Sequence, residues 1–100
     1  MDPKIKKKDL ERLYEAVLSL KTTKECDKFF EDICTISELA AITQRLKVAF
    51  MLSEKQTCHD IAEKTGASTA TISRVNRCLN YGPGGYNMVI ERYNASKQEE

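Results

Sequence analysis

Apolar residues return every three or four positions along almost the whole chain. No stretch alternates with the two-residue period of a strand. The spacing predicts helices throughout. A first helix covers about residues 8–20, with Leu10, Leu13, Tyr14, Val17 and Leu18 on one stripe. A second begins at Thr22. There Thr22 and Glu25 have the spacing of a capping box, and the stripe is Cys26, Phe29, Phe30 and Ile33. Thr35 and Glu38 repeat the signal for a third helix, which ends near Ser53. Its apolar face is read as Leu39, Ile42, Leu46, Ala49 and Phe50.

The second half has a shorter rhythm. Thr57 with Asp60 opens a short helix to Lys64, and Thr65, Gly66 and Ala67 make a turn. Ser68 is a natural N-cap for a helix through Asn80, stopped by Gly82, Pro83, Gly84 and Gly85. A last helix at about 86–94 carries Val89, Ile90 and Tyr93, and residues 95–100 form a polar tail expected to fray. The expectation is an all-α fold of about six helices in a single domain over residues 1–100.

The pair at residues 57–79 has the pattern of a helix-turn-helix. Ala62 is small where the two helices cross, and Gly66 suits a positive φ in the turn. Ile61, Ile72 and Val75 supply the apolar contact between the helices. On a wheel of about 100° per residue, Ile72, Val75 and Leu79 face inward. Ala70, Ser73, Arg74 and Arg77 face outward, with Thr69 at the edge. That outer face is small and polar at its start and basic further on, as suits a helix whose first turns enter a major groove. Methyl groups there touch thymine, hydroxyls meet several base edges, and arginine takes guanine or phosphate. Backbone N–H groups at the helix starts near Thr57 and Ser68 suit phosphate.

Composition adds limits. Hydrophobic residues make up 41% of the 100, aromatics only 7%, and there is no Trp. Net charge is only +1, yet residues 43–81 hold six Lys or Arg against three Asp or Glu. The positive excess thus sits on the helix-turn-helix half and is small, which favours a dimer sharing the phosphate contacts. The run Lys4, Lys6, Lys7 and Lys8 reads first as a solvated arm, with phosphate tracking as the lesser alternative. His59 reads as an exposed polar residue on the first short helix.

Cys26, Cys34, Cys58 and Cys78 contain no CxxC pair, and His59 is the sole histidine, so zinc spacing is missing. They read as reduced, mostly small core residues. No apolar run approaches the roughly 20 residues of a membrane span. The basic start leads into an amphipathic helix rather than a signal sequence, so a cytoplasmic protein is expected. No nucleophile–base pair, phosphate loop or metal cluster stands out, and neither catalysis nor a cofactor is expected.

The run from Gly66 to Arg74 (Gly-Ala-Ser-Thr-Ala-Thr-Ile-Ser-Arg) resembles the reading-head core of the Trp repressor family. With Thr35, residues 43–48, Asn76, Arg77, Cys78, Leu79 and the following Gly-Pro-Gly-Gly, the chain looks like the YerC/YecD branch of Trp-repressor-like proteins. The resemblance covers roughly residues 10–93 and is most specific over 35–79. It implies an intertwined homodimer built by the first three helices and the last. The fourth and fifth helices would form a mobile reading head that docks in a major groove. It also implies a ligand site between the third helix and the recognition helix, at Arg45 and Arg74. The sequence departs from that pattern at Val75, where ligand-binding members have Gly, and at Cys78, where they have Ser. Both departures argue against tryptophan as a small-molecule co-repressor.

The sequence therefore reads as a homodimeric, sequence-specific double-stranded DNA-binding protein, a repressor-like bacterial transcriptional regulator. Its expected DNA-binding residues are Thr57, Ser68, Thr69, Ala70, Thr71, Ser73, Arg74 and Arg77. Its expected partners are DNA and a second copy, and no membrane. Two other readings compete. A helix-turn-helix used for protein interaction would show exposed apolar or aromatic anchors around Ala70, Ser73, Arg74 and Arg77. A ligand-gated repressor is opposed by residue 75.

Overall fold

The computed structural model describes residues 4–98. Six helices account for its regular structure: α1 (Lys7–Leu18), α2 (Thr23–Ile33), α3 (Ile36–Ser53), α4 (Cys58–Thr65), α5 (Thr69–Tyr81) and α6 (Gly85–Gln98). No strand occurs among the described residues.

Short polar side chains fix where the helices begin. Thr22 Oγ1 accepts from the Glu25 N–H at 3.1 Å, while Glu25 Oε1 accepts from the Lys21 N–H at 2.9 Å. Thr35 and Glu38 close a reciprocal box, with the Glu38 N–H donating to Thr35 Oγ1 at 3.1 Å and the Thr35 N–H donating to Glu38 Oε1 at 2.8 Å. Thr57 Oγ1 accepts from the Asp60 N–H, and Ser68 Oγ from the Thr71 N–H, each at 3.1 Å. The bonds from the Glu25, Glu38, Asp60 and Thr71 N–H groups each satisfy a first-turn donor that has no partner inside its helix. The Thr35 N–H, followed by the Thr35 hydroxyl, holds the Glu38 carboxyl below its ordinary range.

The chain divides into two compact units, residues 1–39 and 40–100. In the first, neither α1 nor α2 buries a single residue. Leu13, Tyr14 and Val17 of the α1 stripe stay exposed, as does Ile33 of α2. Leu18 is 81% and Ile36 90% accessible. Phe29 and Phe30 meet edge to face with ring centroids 5.5 Å apart.

The second unit holds the core: Val48, Ala49, Met51, Ile61, Ala67, Ile72, Val75 and Ile90, with Phe50, Leu52, Ala62, Leu79 and Tyr86 packed against it. Phe50 and Tyr93 join α3 to α6 edge to face at 5.0 Å. The core corrects the expected α3 face. Val48, Ala49 and Met51 turn inward, whereas Ile42 and Leu46 are exposed. The helix is apolar around most of its circumference, so periodicity alone does not choose which side packs within the chain. The last helix also runs past the expected 86–94. Residues 95–98 are helical rather than frayed, because Ala95, Lys97 and Gln98 are good helix formers. Residues 99 and 100 of the expected tail lie outside the described residues, as do residues 1–3.

Candidate nucleic-acid interface

Two short helices and a tight turn make the site. Gly66 ends α4 in the left-handed conformation, at φ 74°, and its N–H donates to Ala62 O at 2.9 Å. Only residues without a Cβ take that conformation without strain. Thr65 organises the rest of the turn. Its hydroxyl donates to Ile61 O at 2.7 Å and accepts from the Ala67 N–H at 3.1 Å. From α3, Gln44 Nε2 donates to Thr65 O at 3.2 Å. Beneath the turn, Ile61 is fully buried, and Ile72 and Val75 are 2% and 1% accessible. The α4–α5 pair therefore rests on α3 through packing and through a side-chain hydrogen bond.

The opposite side of α5 is open. Thr69, Ala70, Ser73, Arg74 and Arg77 are all exposed. Ala70, Arg74 and Arg77 follow one another at intervals of four and three residues, which puts them on one stripe, with Ser73 beside it. Among the described residues, neither Arg74 nor Arg77 has a carboxylate partner. Both guanidinium groups are free to take phosphate or guanine, bidentately where geometry allows. On α4, His59 Nε2 and Glu63 Oε2 stand 3.6 Å apart on the open surface.

The other expected residues take different places. Thr57 and Ser68 are the N-caps of α4 and α5. Thr71 is half-buried, and its Oγ1 accepts from the Ser68 hydroxyl at 3.1 Å. The four positions of the implied ligand site differ in exposure. Arg45 and Arg74 are exposed, Val75 is sealed in the core, and Cys78 is half-buried. Cys78 lines an apolar groove of about 460 Å³ with Leu46, Pro83, Tyr86, Met88 and Val89. Tyr81, the last residue of α5, is a further member of the open face that the sequence reading missed. It is 86% accessible and lies four residues beyond Arg77. The same three-and-four spacing that singled out Arg74 and Arg77 reaches it when continued for one more turn.

Comparisons agree with this architecture. The family model described as Trp repressor protein matches residues 8–94. The chain is 51% identical over 96 residues to YerC of Bacillus subtilis (strain 168), covering 96% of this chain and 92% of that protein. A TrpR-like protein of Eubacterium eligens ATCC 27750 superposes with a TM-score of 0.87 at 57% identity, over 93% of this chain and 96% of the other. A Trp repressor candidate from Staphylococcus aureus gives a TM-score of 0.86 at 43% identity, with 91% of each chain covered.

Proposed function

The chain belongs to the Trp repressor protein family, and we propose that it is a homodimeric, sequence-specific binder of double-stranded DNA that regulates transcription without tryptophan. Its family is one of regulators rather than enzymes. The observation that carries the reading is the open stripe of α5, where two unpaired arginines follow a small residue on a helix otherwise packed against α4 and α6. A basic stripe that begins on small side chains suits a helix entering a groove N-terminus first. Thr69, Ala70 and Ser73 reach base edges, and Arg74 and Arg77 reach guanine or the flanking phosphates. Thr57, Ser68 and Thr71 shape and cap the helix starts, whose N–H groups favour phosphate.

Unburied apolar surface supports the dimer. Two helices without a fully buried residue, and exposed Ile42, Leu46, Met88 and Val89 along α3 and α6, leave more apolar surface open than a small chain normally tolerates. A second copy covers both. Two reading heads related by a twofold axis meet half-sites about 34 Å apart, so the target is a near-palindrome. No helix among the described residues is long and apolar enough to cross a membrane; a regulator of this kind works in the cytoplasm.

Selection of duplexes from a random pool, read at several salt concentrations, tests the function. A recovered near-palindrome that Arg74→Ala with Arg77→Ala no longer binds is the expected result. No enrichment at low salt, or unchanged binding by the double variant, overturns the reading. Sedimentation at micromolar concentration tests assembly, and a monomer there removes the dimer.

A further inference from the structure

We propose that Tyr81 is a further DNA contact, its phenol hydroxyl donating to a phosphate oxygen on the strand bordering the groove that α5 occupies. The inference deepens the function proposed above and rests on α5 being the reading helix.

Position on the helix is the first argument. Ala70, Arg74, Arg77 and Tyr81 are spaced four, three and four residues apart, so the tyrosine continues the outward stripe by one turn. Ile72, Val75 and Leu79, which pack in the core, occupy the other side. Reach is the second. At about 1.5 Å per residue, Tyr81 lies roughly 16 Å along the axis from Ala70. A B-form major groove is about 12 Å wide. A helix that enters N-terminus first on a slant, with Ala70 among the bases, therefore carries its last turn past the groove edge and beside the sugar–phosphate rail. Chemistry is the third. Tyr81 is 86% accessible and follows two unpaired arginines, so its hydroxyl is presented to solvent on the basic face. Tyrosine is among the side chains that hydrogen-bond DNA phosphates, and such a contact positions the protein without reading sequence. The competing occupant, a protein surface against an exposed aromatic, is an outcome of the test below.

The test uses the full chain, a duplex recovered from the random pool and an unrelated duplex. Affinities are measured over a salt series for wild type, Tyr81→Phe, Tyr81→Ala and Arg77→Ala, with sedimentation of each. Both tyrosine variants are expected to weaken the two duplexes alike, by about a hundredfold, for the loss of one hydrogen bond to a charged acceptor in each half-site. The slope of log affinity against log salt stays at the wild-type value, because a neutral hydroxyl displaces no condensed cation. Arg77→Ala lowers that slope by about two, one for each subunit of the dimer. Ethylation interference on wild type marks one phosphate per half-site that no longer matters for Tyr81→Phe. Wild-type affinity in Tyr81→Phe overturns the proposal. So does a Tyr81→Ala protein that sediments as a monomer while Tyr81→Phe binds normally, since the ring is then a subunit contact. A wild type that binds no duplex removes the reading of α5 itself, which is a different failure from tyrosine variants that match a DNA-binding wild type.

Discussion

Gln44 holds Thr65: its Nε2 donates to the Thr65 carbonyl oxygen at 3.2 Å across 21 residues of sequence, joining α3 to the last residue of α4. Thr65 in turn bonds Ile61 O and the Ala67 N–H. One amide side chain thus tethers the turn that sets the angle between the two helices of the reading head. Gln44→Ala is expected to cost about 1 kcal/mol, the usual net value of one hydrogen bond. Hydrogen exchange should accelerate at Gly66 and Ala67 more than at the α3 amides beneath them. A uniform acceleration, or none, would show that the bond is not a local tether.

Of the three described residues with left-handed backbone, Lys55, Gly66 and Gly84, the first two have opposite consequences. Gly66, at φ 74°, suits it, and Lys55, at φ 66°, does not. The Lys55 conformation closes the end of α3, where the Lys55 N–H donates to Leu52 O and the Gln56 N–H to Met51 O. A side chain in this region costs about 1–2 kcal/mol, partly offset in glycine by the greater freedom of its unfolded chain. Lys55→Gly is therefore expected to raise stability by about 0.5–1 kcal/mol, and Gly66→Ala to lower it by about 1–2 kcal/mol. Denaturant midpoints measure both. A destabilised Lys55→Gly protein would mean that the lysine side chain stabilises the turn more than its backbone strains it.

The Glu38 carboxyl links stability to pH. Its folded pKa is depressed, first by the Thr35 backbone N–H and then by the Thr35 hydroxyl. The charged form is thus favoured in the folded state. A depressed folded value contributes stability above the unfolded pKa, and that stability is lost as pH falls through the folded one. Unfolding free energy should therefore fall on the acid side of the ordinary carboxylate range, and Glu38→Gln should flatten that limb. An NMR titration midpoint for Glu38 at the ordinary glutamate value would contradict the linkage.

Much of this was legible in the sequence where the determinants are local. The hydroxyls of Thr22, Thr35, Thr57 and Ser68 cap helices within three residues of themselves. Gly66 declares its own turn, and Ile61, Ile72 and Val75 follow from helical period. What escaped depends on longer range or on an unusual residue. The Gln44–Thr65 bond spans 21 residues and obeys no spacing rule. Lysine is not a turn residue, so nothing in Lys55 announces its φ. The apolar stripe of α1 is plain, yet a stripe does not say whether its own chain or a second copy covers it. The polar composition of residues 95–98 hides their helix-forming propensity, and the outward stripe of α5 continues one turn beyond Arg77 to Tyr81.

Val75 carries the last prediction, that DNA binding does not depend on tryptophan. Its side chain is 1% accessible and sits in one core with Val48, Ala49, Ile61 and Ile72. Protein interiors are close-packed, so the volume of those three carbons is not available to a ligand as well. The same core, with the Gln44–Thr65 bond at the turn, is expected to hold α5 in place without a ligand. A reading head held in this way would give an added indole no conformational difference to act on, and a ligand without differential affinity shifts no equilibrium. Calorimetric titration with tryptophan should give no binding heat, and DNA affinity should be the same with and without it. Val75→Gly should cost about 2–4 kcal/mol, from a core cavity and from glycine inside a helix, and loosen α5 even where the fold survives. Micromolar tryptophan affinity in wild type, or DNA binding that tightens tenfold on its addition, would show that the reading head is not set by packing alone.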